Sequence, residues 1–273
     1  MTMTSATICN DAPSITPGHT PALEEMGAFL AEYSSWIFSS GSTCIRLEKN
    51  VRRIAAVFGM SVELSIFPRH IHLTVSSDGG RHVFTSIAAI LDRPVSFAIN
   101  ASLSRLSWDV ADHKVGFSQA CAEFRRIIAT PGTDKWVVLL LVSLANASFC
   151  RLFGGDSVAM AVVFLSTMAG YLVKQMLSEH HVDFRLTVVI CSFISSVLAA
   201  ADGLFGLGST PALSIGTSVL YLVPGIPYLN SFCDMLDRHY ICAFGRLMNA
   251  LVITACLSVG LCFGMLMMDV GMF

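Results

Sequence analysis

Charge is scarce in this sequence. Only 13% of its 273 residues are Asp, Glu, Lys or Arg, against 54% hydrophobic residues and a mean hydropathy of +0.67. Such a composition excludes a water-soluble globule and places the chain in a lipid bilayer. A formal net charge of -2 without a polybasic run leaves neither a nucleic-acid footprint nor a lipid-headgroup patch, so the expected partners are lipid and protein. Nine cysteines occur without a C-x-x-C pair and sit mostly in apolar runs. This speaks against a disulfide framework and a zinc site, and no metal or cofactor is expected. The first twenty residues contain no Lys or Arg, so they are no signal peptide, and the segment that follows is expected to stay on the side of synthesis. G-x-S-x-G and H-E-x-x-H are absent, and none of the eight histidines falls in a long apolar stretch. A membrane-embedded hydrolase or thiol enzyme, the competing class of function, would therefore lack an evident base, and the chain is read as no enzyme.

The charge that is present is unevenly spread. Twelve basic and twelve acidic residues, two thirds of all formal charges, lie within residues 1–135. Three regions are expected: a disordered tail over residues 1–21, a small cytoplasmic α+β domain over 22–135, and a transmembrane domain over 136–273. In the second region Leu23, Met26, Leu30, Tyr33 and Ile37 have helical spacing up to Gly41, and Val51, Ile54, Ala55 and Phe58 form the buried stripe of a second helix that Ser42 or Thr43 can cap. After Gly59 the period switches to two. Val62, Leu64 and Ile66, then Ile71, Leu73 and Val75, alternate with polar residues, and Asp78-Gly79-Gly80 turns the chain into a third strand over Arg81 to Ile87. Helical patterns return over Ser102 to Ala111 and from Phe117 to Ile128.

Five uncharged stretches follow: Trp136 to Cys150, Ser157 to Val173, Leu186 to Ala201, Gly203 to Cys233 and Leu247 to Met268. They predict an α-helical polytopic membrane protein with about five transmembrane helices. The first three are short, rising roughly 22 to 26 Å, while the fourth would rise about 46 Å as one helix against a hydrocarbon core of about 30 Å. It is interrupted by Pro224-Gly225-Ile226-Pro227, where each proline lacks an amide donor and carbonyls lose helical partners at a depth without water. A single broken span puts Arg125, Arg126, Lys135, Lys174, Arg185, Arg238 and Arg246 on the cytoplasmic side and only Arg151 outside. A re-entrant pair would move Arg238 and Arg246 out, so the positive-inside rule favours the broken span, with the C-terminus outside.

Backbone freed at that depth must face protein or a polar cavity, which makes Pro224, Gly225 and Pro227 candidates for a translocation site. Asn230 and Asp234 share one face of the helix that resumes after the break, where Asp234 could accept a proton or cation; a packing kink with an ordinary interfacial aspartate is the alternative. Asn146 lies inside the first span, and Arg151 at its end could pair with a carboxylate substrate or snorkel to headgroups. Lys174 reads as a positive-inside anchor, and Asp202, between the third and fourth spans, as a loop residue with a possible part in proton coupling. The pairs His180–His181 and His70–His72 each lack a third metal ligand.

At these residues the sequence resembles the N-terminal module of bacterial threonine/serine exporters, over about residues 25 to 265. The resemblance lies in Ser40-Gly41-Ser42 with Val57-Phe58-Gly59-Met60, in Asn146 to Leu152 before Gly154-Gly155, and above all in Leu222 to Pro227 with Asn230 and Asp234. Within that family it is similar to the larger chain of split, two-chain systems linked to succinate export. The resemblance implies a cytoplasmic N-terminal domain and an inner-membrane exporter of small carboxylate metabolites, a dicarboxylate such as succinate or threonine/serine. It also implies proton-motive coupling and a smaller, YjjB-like membrane chain or a homo-oligomer to complete the path. A regulatory or structural subunit without its own path is the alternative. The family often carries a glycine shortly after the aspartate matched by Asp234, where this chain reads Asp237-Arg238.

Overall fold

The helical spacing from Leu23 to Ile37 folds as α1 (Leu23–Ser39), followed by α2 (Cys44–Val57), β1 (Ser61–Ile66), β2 (His70–Ser77), a 3-10 turn at Asp78–Gly80, β3 (His82–Ala89), α3 (Phe97–Ala111) and α4 (Phe117–Ile128). The structure, a computed structural model, describes residues 21–206 and 208–268, so the expected tail lies outside the described residues except for Pro21. The chain forms two compact units. One runs up to Pro131 and includes Ile226–Leu247; the other comprises Gly132–Gly225 and the residues from Met248 on.

In the first unit the strands form an antiparallel sheet in the order β1-β2-β3, with Leu64 opposite Leu73 and Thr74 opposite Thr85. Ile71, Leu73 and Val75 are fully buried, while His70 and His72 point outward, as a period of two requires of a sheet covered on one face. α1 approaches that sheet closely. A Cβ on Gly27 would come within 2.2 Å of the Phe84 ring, so only glycine lets this helix seat there. The core beneath is aromatic, with Phe29 edge-on to Phe117 and Phe124 at centroid distances of 5.5 and 5.6 Å. Tyr33, fully buried, donates its hydroxyl to the Leu103 carbonyl at 2.9 Å. α3 begins five residues earlier than the sequence suggests, because Ser96 accepts from the Ile99 N–H and caps it there.

The second unit begins with α5 (Lys135–Leu152), α6 (Ser157–Glu179) and α7 (Phe184–Leu204), then α8 (Pro211–Ser218) and a 3-10 turn at Leu220–Leu222. The first three spans are not short. They run 18, 23 and 21 residues, because each helix continues through polar flanks and starts at an aspartate, Asp134, Asp156 or Asp183, whose carboxylate accepts from a first-turn amide. Their polarity is inverted relative to a soluble bundle. Leu140, Leu141, Leu144 and Leu165 are exposed, whereas Ser143, Asn146, Ser166, Thr167, Ser192, Ser195 and Ser196 are buried. Apolar residues outside and small polar ones between helices are what lipid solvation demands.

The remaining helices are α9 (Gly225–Leu236) and α10 (Tyr240–Met267). Among the described residues four helices, α5, α6, α7 and α10, are long and apolar enough to cross a membrane, and a fifth crossing is reached if Pro211–Leu222 and Gly225–Leu236 count as one broken span. α10 packs on α7 through glycines: a Cβ on Gly260 would lie 1.9 Å from Ser192 Oγ and 2.3 Å from the Val189 carbonyl, and one on Gly264 would lie 1.9 Å from Ser196 Oγ. Between α9 and α10, Arg238 has φ 65°, in the left-handed region that glycine occupies without strain. Arg238→Gly is expected to raise stability by about 0.5 to 1 kcal/mol, the relieved strain exceeding glycine's extra chain entropy. Thermal unfolding of the detergent-purified chain measures it, and a lowered midpoint would show that Arg238 makes up its strain elsewhere.

Candidate functional site

The break in the fourth apolar stretch owes more to Pro224 than to its neighbours. Pro224 has no amide for the Leu220 carbonyl, which instead takes the Val223 N–H at 3.1 Å, and Leu222 likewise bonds Val219 at 3.0 Å. The helix tightens to 3-10, and the Ser218 carbonyl loses the amide of Leu222. Gly225 is not at positive φ and a Cβ there would meet nothing within 4 Å, while Pro227 lies in the first turn of α9, where a missing amide is harmless.

The freed carbonyls are taken up by side chains of the neighbouring helices. Asn146 Nδ2 donates to Thr167 Oγ1 at 3.0 Å and to the Thr217 carbonyl at 3.4 Å, and Thr167 Oγ1 donates to the Ser218 carbonyl at 3.4 Å. All four residues are buried. Ser195 Oγ and Tyr221 OH, 3.0 Å apart, extend the seam, with Gly170 making room: a Cβ there would come within 2.2 Å of both oxygens. Tyr171 meets Tyr221 edge-on at 5.9 Å, and Lys174 Nζ lies 5.2 Å from the Tyr171 ring centroid. Among the described residues, no carboxylate lies within ion-pair distance of Lys174. A buried line of amide, hydroxyls and carbonyls ending near an uncompensated ammonium can bind a small polar anion at membrane depth.

Asp202, expected in a loop, lies within α7 and is fully buried. It accepts from Ser214 Oγ on α8, and among the described residues its Oδ1 has no hydrogen-bond partner. Gly208 sits between this carboxylate and a second one, since a Cβ on it would lie 2.8 Å from Asp202 Oδ1 and 3.0 Å from Asp156 Oδ2. Asp156 is committed to structure. The Ala159 N–H, then the amide and hydroxyl of Ser209, hold its carboxyl below the usual aspartate range. Arg151 is exposed and donates to the Gly155 carbonyl at 3.1 Å, closing the turn that follows α5.

Asn230 and Asp234 belong to the other unit, with the N-terminal helices. Asn230 Nδ2 donates to the Gly41 carbonyl at 2.9 Å, and Asp234 Oδ1 accepts from the Cys44 N–H at 2.8 Å. Neither Ser42 nor Thr43 caps α2 with its side chain; the cap comes from Asp234, 190 residues along the chain. Asp234 is fully buried, with Arg246 Nη1 3.3 Å from its Oδ2, and Arg246 also donates to the Ser42 carbonyl and lies over the Phe38 ring. The ligand atoms of Cys44, Asp234 and Cys242 fall within 4.8 Å of one another, a donor set for a thiophilic cation. Asp234 already answers the Arg246 charge and the α2 terminus, so a cation there would compete with both. The Cys242 side chain and burial push the Cys44 thiol up, which disfavours a thiolate at that residue.

Thr167, Ser195, Tyr221 and Gly170 were not singled out by sequence reasoning. Their signal was small and hydroxylic residues at helical spacing, legible as a face but not as a partnership. Two curated relatives, both named "Probable succinate transporter subunit YjjP", are similar over most of their lengths. The one from Escherichia coli (strain K12) is 26% identical over 82% of this chain and 88% of its own, and the one from Klebsiella aerogenes is 27% identical over 85% and 90%. No solved structure matches the chain. A family profile described as "Putative threonine/serine exporter" matches residues 28–268, from α1 to the end of α10, and the chain belongs to this exporter family.

Proposed function

We propose that this multi-pass membrane protein is the larger subunit of an inner-membrane exporter of small carboxylate metabolites, completed by a smaller membrane chain. The observation that carries the reading is the buried seam in which Asn146 and Thr167 meet the carbonyls freed before Pro224. Closed by its own side chains, the seam is an occluded polar line that a substrate opens by replacing those bonds. Lys174 answers the carboxylate of either candidate substrate, and the names of the two relatives tilt the choice towards a dicarboxylate such as succinate. Their "subunit" label supports a second chain.

For proton-motive coupling, Asp202 is the better candidate than Asp234. Asp202 and Asp234 each have a buried oxygen without a hydrogen bond, but Asp234 is ion-paired with Arg246, whereas among the described residues Asp202 has no cation within ion-pair distance. The positive-inside bias supports a cytoplasmic α+β domain over residues 22–135 and a C-terminus outside. Deleting the gene, and separately that of its small partner, and measuring extracellular metabolites by mass spectrometry tests the reading. If neither deletion alters export of any amino or dicarboxylic acid, the transporter reading fails. Asn146→Leu is expected to lower efflux at least about tenfold at unchanged membrane abundance, since it removes a buried donor from the seam. Unchanged efflux would reduce the seam to packing.

A further inference from the structure

α2 carries three cations along one face, Arg46, Lys49 and Arg53, at spacings of three, four and seven residues, where like charges repel. They border a concavity of about 550 Å³ between α2 and α3, within the range of small-molecule sites, and no Asp or Glu lines it. Among the described residues, none of the three has a carboxylate within ion-pair distance. The nearby acids are committed elsewhere: Glu48 to Arg52 and His239, Asp109 and Asp112 to Lys114.

The cations are held by neutral groups in a built arrangement. Arg53 stacks on Trp108, 3.6 Å from the ring centroid, and donates through Nη1 to Asn50 Oδ1 and Ser107 Oγ. Arg46 Nη1 donates to Asn100 Oδ1 at 3.2 Å, and the buried Asn50 donates to Ser104 Oγ at 3.0 Å. Lys49 is exposed and has no protein partner among the described residues.

A face that gathers three positive charges beside a concavity without a carboxylate raises the local potential and attracts anions. We propose that this concavity is a binding site for a small soluble anion bearing at least two negative charges, a dicarboxylate or a phosphate compound. Lys49 and Arg46 supply charge-assisted hydrogen bonds, and Arg53 is fixed against Trp108 to receive the second anionic group. The site lies wholly in the N-terminal unit and does not depend on the transport reading.

Isothermal titration of the full-length, detergent-purified chain with succinate, inorganic phosphate and pyrophosphate in turn tests it. At least one is expected to bind saturably, and which one does tells a carboxylate from a phosphate ligand. Lys49→Gln, at an exposed position without bonds, leaves the fold untouched and is expected to weaken that binding about tenfold. Adding Arg46→Ala weakens it further. Three flat titrations, equal affinity in Lys49→Gln, or binding seen only with phosphatidylglycerol vesicles, which would make the concavity a membrane contact, each overturns the proposal.

Discussion

Asp234→Ala is expected to destabilise the N-terminal unit by about 3 to 5 kcal/mol, the range for breaking a buried ion pair from one side. Asp234 is fully buried, with Arg246 at 3.3 Å and the Cys44 N–H at 2.8 Å. Removing the carboxylate leaves a guanidinium largely out of water, over the Phe38 ring and, among the described residues, without an ion-pair partner, and it strips α2 of its cap. Limited proteolysis and thermal unfolding of the detergent-purified chain both report on it. Arg246→Met in the Asp234→Ala background is expected to restore much of the loss, because the stranded charge goes too. If the double variant were no more stable than the single one, the pair would not be the source of the effect, and a direct role of Asp234 in coupling would regain ground.

Gly260→Ala is expected to cost about 3 kcal/mol in the membrane unit, at the upper end for overpacking a tight contact. Its Cβ would fall 2.3 Å from the Val189 carbonyl, a backbone atom that cannot rotate away, so α10 and α7 must separate. Helices in lipid associate through such close approach rather than through hydrophobic burial, so little else offsets the loss. Gly216→Ala on α8 is the matched control. A Cβ there meets nothing within 4 Å, and alanine's better helix propensity is expected to leave stability unchanged or slightly higher. Equal unfolding midpoints for Gly260→Ala and the native chain would show that the α7–α10 contact is looser than drawn.

Much of the fold was legible in the sequence, because period and breakers act over a few residues. The alternation around Ile71, Leu73 and Val75, the stripe from Leu23 to Ile37 and the break at Pro224 all became the elements their spacing implied. Span lengths were misjudged because uncharged stretches end before helices do: Lys174 to Glu179 continue α6. Asp202 was read as a loop residue because it lies between the third and fourth uncharged stretches, yet Ser214 on α8 gives it a buried partner and α7 runs through it.

The candidate sites were half legible. Asn146 stood out as an amide in an apolar run, but the carbonyls it serves follow from how α8 ends. Gly260-x-x-x-Gly264 is a small-residue pattern visible in the sequence, whereas Ser192 and Ser196 as its counterpart are not. The α2 cap shows the same limit, since Ser42 and Thr43 sit where a cap is expected and Asp234 fills the role.

By itself, then, the sequence determined that the chain lives in a bilayer, that an α+β region precedes the spans, and that the backbone breaks at Pro224. These follow from hydropathy, period and a missing amide, each a property of neighbouring residues. Only the tertiary structure decided which polar groups satisfy one another. A freed carbonyl or a buried charge must be matched at short range, and which group comes near, Asn146 to Thr217 or Asp234 to Cys44, is settled by packing between segments far apart in the chain.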